Sequence, residues 1–375
     1  MVTVVVVEFC VMRCQPLRRA LYSFGGDLVI RKLYKYMPLR LNFFNEPMLR
    51  ATPIHALNDP FEADAQNSQV AQILRHLYDE GELLPYGNDD YEDLISDYRK
   101  LDKWFDEVKL SYTNSEVNRI KNKISQLGIV SFTEDYSNLL MWSHYADQHR
   151  GMVIEFSNEV TWLKEQKSPN PDNLCAFNSN LSGYLKEIPE RIIYRNSRPK
   201  FEFAIDVVFD DDYSKVYDNL FFSKGDSWLY EKEHRSILPL MYADKVIAKC
   251  TVDIEEISEL KPSLIVNAIK SVKFGEQSYC ELTFSNDNDF TREMVSSLDG
   301  YKDNDLIFLY RMNETFISSI YLGCRVTDSE VVKILDAIKR NSNFPENIIV
   351  KRAVISKNRY ELDFEVISYP MLKRI

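Results

Sequence analysis

Glycine is scarce in this chain, at 11 of 375 residues, and none of them sits in a recognisable phosphate-cradling loop. There is no P-loop, no G-x-G-x-x-G turn, no G-x-S-x-G elbow and no H-E-x-x-H. A bound nucleotide would therefore be held by side chains in a shaped cleft. Cysteines are few and scattered, at Cys10, Cys14, Cys175, Cys250, Cys280 and Cys324. Only the first two are close, and no second pair downstream completes a zinc site. Reduced thiols in a cytosolic protein fit that scatter, so a cytoplasmic location is expected. Long apolar runs are also missing. The opening "MVTVVVVEFCVMRC" is broken by Glu8 and Arg13, and no later segment approaches the ~18 apolar residues that span a bilayer. Its order of charge and small residues is not that of a signal peptide. No membrane partner is expected. Positive charge is in deficit, 46 Lys and Arg against 57 Asp and Glu, for a formal net charge of -11. A field of that sign disfavours phosphate-led, nonspecific binding to nucleic acid, although a local basic groove is compatible with it.

What is present is a globular composition, 45% hydrophobic and 27% charged, with 22 Tyr and 21 Phe. Those aromatics can build a large core or a stacking surface. Residues 1–30 read as an N-terminal extension, and residues 31–375 as a single elaborated α+β domain. "LYKY" (Leu33 to Tyr36) has strand character and ends at Pro38. Asn58-Asp59-Pro60 is a turn signal. Apolar spacing of three to four predicts a helical insertion over about 68–127, with stops at Gly81 and Gly128. "IVSFTED" and "MVIEF" read as strands on either side of a short helix in "NLLMWSHYADQH". Over about 315–375 the pattern is a β-α-β-β unit, its helix capped by Thr327 or Asp328.

Three segments carry candidate chemistry. In "LYKY", Lys35 lies between Tyr34 and Tyr36. In "SFTEDYSNLLMWSHYADQHRG", Ser131 and Thr133 would share one strand face, and Trp142, His144 and Tyr145 form a polar-aromatic group suited to stacking on a base or a nicotinamide ring. His144 and His149 are five apart, which is not the i, i+4 spacing of a helical metal pair. In "YEKEHR" (Tyr230 to Arg235), Glu231 and Glu233 would face the same side if the segment is a strand. Each also has a plainer reading. Glu231 and Glu233 could be an alternating-charge strand face, Trp142 a core residue, and His144 a buried histidine bonded to backbone. Asp59 could cap its turn, and Lys35 could lie along tyrosine rings.

Taken in order, "LYKY", "LNDPFE", "SFTED…LLMWSHYADQHRGMVIEF", "WLYEKEHR" and "IYLGCRVTDSEVVKIL" resemble a bacterial family catalogued only as a domain of unknown function and found in phage-related islands. That resemblance covers roughly residues 31–370. The order of Tyr-cation, Ser-x-Thr and Glu-x-Glu is also similar to the three-part signature of ADP-ribosyltransferases. This second resemblance implies a split-sheet ADP-ribosyltransferase-like core and NAD as the substrate. It implies Glu233 as stabiliser of the ribose cation and Glu231 as activator of the acceptor. Lys35 or Arg235 would clamp phosphate, with Tyr34, Tyr36, Ser131, Thr133, Trp142, His144 and Tyr145 lining the NAD site. Lys35 stands where those enzymes carry Arg or His, and Phe132 where Thr is usual. The acceptor would be a protein or a nucleic acid. The family's setting implies phage defence or toxin action and leaves room for a regulatory partner protein. Two other readings stay open. One is a nucleotide-sensing or interaction module without catalysis. The other is a metal-dependent nuclease using Asp59, Glu62, Glu231 and Glu233.

Overall fold

The computed structural model describes residues 32–62, 96–156, 162–164, 186–198, 214–249, 265–274, 277–284 and 306–367, together with residues 75, 79 and 292. The N-terminal extension and the expected helix over "SQVAQILRHLYDEG" lie outside these residues, except for helical Arg75 and Asp79.

In chain order the first elements are β1 (Leu33–Met37), β2 (Met48–Pro53), the long helix α1 (Tyr98–Ile124) and β3 (Leu127–Thr133). Gly128, expected to stop a helix, lies within β3 instead. A Cβ there would come 2.6 Å from the Leu240 side chain and 2.9 Å from Ala51 Cβ, so the residue permits close packing rather than a turn. Next come α2 (Leu139–Tyr145), β4 (Met152–Phe156), β5 (Lys186–Arg191), β6 (Ile193–Arg195), α3 (Ser214–Phe221) and β7 (Ser223–Gly225). The chain continues through β8 (Glu233–Pro239), β9 (Lys245–Lys249), β10 (Ile265–Phe274), β11 (Gln277–Phe284) and β12 (Leu306–Arg311). It closes with β13 (Ile317–Leu322), α4 (Asp328–Arg340), β14 (Ile349–Ile355) and β15 (Leu362–Val366). The β-α-β-β pattern at this end is β13-α4-β14-β15, with β13 and β14 parallel and β15 antiparallel to β14.

The fold is mixed α and β, with few helices and one large mixed sheet of thirteen strands. Strand β3 is its hinge. One edge of β3 pairs with β8 along its whole length, from Leu127↔Pro239 to Thr133↔Glu233. The other edge pairs with β2 at Gly128 and Ile129 but with β1 only at Thr133. Two wings therefore leave that edge, β2-β12-β9-β11-β10 and β1-β4-β13-β14-β15. Both contribute to one hydrophobic cluster, with Leu49, Phe308 and Tyr310 from the first wing and Ile154, Ile320 and Val350 from the second. Helix α4 seals the cluster with Val331, Ile334, Leu335 and Ile338. Its start is fixed by a capping box, in which the Thr327 hydroxyl accepts from Glu330 N–H and the Glu330 carboxylate accepts from Thr327 N–H.

"YEKEHR" is not a continuous strand. Glu231 ends a 3-10 helix (Asp226–Glu231), and Lys232 adopts a left-handed conformation at φ 45° and ψ 47° before β8 begins at Glu233. The two carboxylates converge through this turn and not through strand alternation. A left-handed lysine is uncommon enough that period-two reasoning has no means of foreseeing it.

Candidate buried carboxylate site

On β8, Glu233, Arg235 and Ile237 occupy the face shared with Thr133, Ser131 and Ile129 of β3, since directly paired residues point the same way. This face carries a buried charge cluster. Lys224, from the middle of β7, places Nζ 2.9 Å from Glu62 Oε1, 2.7 Å from Glu231 Oε2 and 3.1 Å from Glu233 Oε2. Arg235 donates through Nε and Nη2 to the two oxygens of Glu233, at 2.8 and 3.0 Å. It also donates to Glu62 Oε1 at 2.7 Å and to the Phe221 carbonyl at 2.8 Å. All five side chains are at most 5% exposed. Three carboxylates face two cations, and Glu62 Oε2 is buried without a hydrogen-bond partner.

The electrostatics follow from that count. Burial alone would raise the Glu233 pKa, but Arg235, Lys224 and a hydrogen bond from the Ser131 hydroxyl overcome it and hold the carboxyl at about 2. Glu231 goes the other way. Burial and the neighbouring Glu233 charge raise it, and the contacts with Lys224 and Tyr145 only partly offset them. Lys224 is raised: burial disfavours its charge, and Glu233 and Glu62 more than restore it.

The remaining expected residues divide between two faces of the second wing. On β1, Lys35 points toward β3 and the main core. Its Nζ donates to the Ser131 carbonyl at 2.7 Å, on the stretch of β3 where neither β2 nor β1 pairs, and lies 5.9 Å from the Phe132 ring centroid. Burial lowers the Lys35 pKa to about 8, against the opposing pull of Glu233. Tyr34, not Lys35, pairs with Thr133, so Lys35 lies on the sheet face opposite Glu233 and meets Ser131 only through that residue's backbone carbonyl. Thr133 Oγ1 donates to the Glu231 carbonyl at 2.5 Å and so fixes the turn that carries Glu231.

Tyr34 and Tyr36 lie on the opposite face of β1, packed with Met141, Trp142, Val153 and Tyr321. Trp142 is fully buried, edge-on to Tyr36 at 5.4 Å, and donates Nε1–H to the Tyr136 carbonyl at 2.8 Å. These three rings form a second core rather than a surface open to a stacking ligand. His144 is exposed on α2, in ring contact with Tyr145. Tyr145 does reach the cluster. Its hydroxyl donates to Glu231 Oε1 at 2.5 Å and accepts from Asn58 Nδ2 at 2.7 Å. Asp59 is the turn residue, its Oδ1 accepting from Phe61 N–H at 3.0 Å.

Sequence reasoning missed Lys224 entirely and Asn58 as anything but a turn. It weighed Glu62 only as a metal ligand. The signal for Glu62 and Asn58 was their place in "LNDPFE". For Lys224, in the glycine-flanked "SKGDSW", no spacing or composition pointed to a buried ammonium.

Residues 141–236 match the family described as a protein of unknown function (DUF2971). The DUF2971 segment covers the middle of the 31–370 span of the sequence resemblance, and it contains Trp142, His144, Tyr145, Lys224, Glu231, Glu233 and Arg235. Glu62, Ser131 and Thr133 reach the same cluster from outside it. Neither a search of curated proteins nor one of solved structures gave a match. Among the described residues, no helix is long and apolar enough to cross a membrane.

Proposed function

We propose that the chain is an ADP-ribosyltransferase-like enzyme that takes NAD as its substrate and modifies a protein or nucleic acid acceptor. The observation that carries this reading is the convergence of Glu62, Glu231 and Glu233 on Lys224, with the Ser131 side chain bonded to Glu233. Rupture of the bond between nicotinamide and ribose develops positive charge on the sugar, as in glycoside hydrolysis. A cluster of three carboxylates and two cations carries one excess negative charge when fully ionised, and it presents that charge without reorganisation. In this reading Glu233 anchors the negative charge and Glu231, with its raised pKa, takes the proton released by the acceptor. Arg235 is bonded to Glu233, Glu62 and the Phe221 carbonyl, so it orders the carboxylates. The phage-island setting of the resembled bacterial family fits a role in phage defence or as a toxin.

The test is incubation with adenine-labelled NAD and bacterial cell extract, with Glu231→Gln as the control. Label on protein or nucleic acid, lost in the variant, supports the reading. No transfer to any fraction overturns it.

One observation favours a second reading, a nucleotide-sensing or interaction module. Glu233 and Arg235 have their charges fully paired and are only 5% and 1% exposed, as a structural ion pair would be. NAD binding without nicotinamide release would select this alternative. The nuclease reading loses its cation position, because Lys224 Nζ lies among Glu62, Glu231 and Glu233 where a metal would sit.

A further inference from the structure

We propose that Tyr145 carries the acceptor's proton to the buried Glu231, and that Asn58 holds its hydroxyl in line; this rests on the glycosyl-transfer reading above. Glu231 is 4% exposed and both its oxygens are engaged, Oε2 by Lys224 and Oε1 by Tyr145. An acceptor group approaching from solvent meets the half-exposed Tyr145 before it meets that carboxylate. The Tyr145 hydroxyl donates to Glu231 and accepts from exposed Asn58, which leaves one lone pair of the phenol oxygen for an incoming X–H donor.

The step balances without a co-reactant. As the ribose–nicotinamide bond breaks, its electron pair leaves with nicotinamide, and the acceptor atom X bonds to the ribose carbon. The proton of X–H passes to the Tyr145 oxygen while the proton of Tyr145 passes to Glu231 Oε1. The phenol is regenerated, and Glu231 later returns its proton to solvent. A free phenol is a poor base by itself, and burial with the adjacent Glu231 charge raises the Tyr145 pKa further. A concerted relay avoids any tyrosinate. The charged groups facing Glu231 are Lys224 from β7, Glu233 from β8 and, beyond them, Glu62 and Arg235; Tyr145 faces it from α2, and Tyr230 lies beside it in sequence. The raised pKa of Glu231 makes it a competent proton acceptor.

The experiment compares wild type, Tyr145→Phe and Asn58→Ala on labelled NAD with bacterial cell extract, across a pH series, with NAD affinity measured in parallel. Tyr145→Phe is expected to keep NAD affinity and lose about 100-fold or more of the transfer rate, the usual range for a removed acid-base group. It should also lose the acidic limb of the pH profile. Asn58→Ala alters only an exposed side chain; it should lower the turnover rate and leave the KM for NAD unchanged. An active wild type beside a Tyr145→Phe variant within threefold of its rate, with the same pH profile, overturns the relay and leaves the transferase reading standing. The same holds if Asn58→Ala is indistinguishable from wild type. An inactive wild type removes both.

Discussion

Replacing Lys224 by methionine keeps the length of the side chain and removes the ammonium that lies within 3.1 Å of three carboxylates. The site then holds three buried carboxylates against Arg235 alone. Breaking a buried ion pair by removing one partner costs about 3–5 kcal/mol, because the remaining charge stays uncompensated. That is the expected loss at pH 7.5, measured by urea unfolding followed through tryptophan fluorescence. The pH dependence is the sharper test. Lys224 is one of the groups that lowers the Glu231 pKa, so without it the already raised value climbs further. The folded variant then binds more protons than its unfolded chain between the ordinary carboxyl value and the raised one, and its stability increases as pH falls through that window. The gap to wild type should narrow by up to about 1.4 kcal/mol per pH unit between pH 7.5 and 5.5. Adding Glu231→Gln should restore part of the loss, with a coupling of roughly 0.5–3 kcal/mol. A variant within about 1 kcal/mol of wild type at pH 7.5, or a gap that does not change with pH, would refute the claim that Lys224 neutralises this cluster.

Glu233 has the opposite linkage. Its pKa is held at about 2 against an ordinary 4.5, so its stabilisation is complete above pH 4.5 and is lost as pH falls from there toward 2. The shift corresponds to about 3 kcal/mol, and Glu233→Gln should flatten the fall of the melting temperature measured from pH 5 to pH 3. Thr327→Ala removes the capping box of α4 and should cost about 1 kcal/mol, read by urea unfolding and by faster hydrogen exchange in the first turn of the helix. Gly323→Ala would set a Cβ 2.0 Å from the His149 carbonyl oxygen and should destabilise by at least ~2 kcal/mol; Gly225→Ala meets its nearest neighbours at 3.6 and 3.7 Å and should shift the melting temperature little.

The parts legible in the sequence were those written in local patterns. Thr327 with Glu330 announces the start of α4, and the buried alternation of Tyr34 and Tyr36 follows from strand period two. The three segments "LYKY", "SFT" and "EHR" could be matched in order, but strand register brings Ser131 and Glu233 to one face and leaves Lys35 on the other. The partners of the carboxylates were not legible. Lys224 is buried because β6 and β7 pair in parallel and the 3-10 helix brings Glu231 back over it, and both are tertiary facts. The left-handed Lys232 breaks the alternation that put Glu231 and Glu233 on one strand face. Arg235 and Trp142 have the residue types of a ligand site, but burial assigns them to ion pairing and packing, and burial is not encoded in a short window.

The central claim is that the Lys224-centred carboxylates act on the nicotinamide–ribose bond of NAD, and release of nicotinamide by the purified full chain tests it most directly. Time-dependent release by wild type, reduced about 100-fold or more in Glu231→Gln with NAD affinity retained, is the predicted result. NAD that is bound and recovered intact, or release at the same rate by Glu231→Gln, would contradict the account.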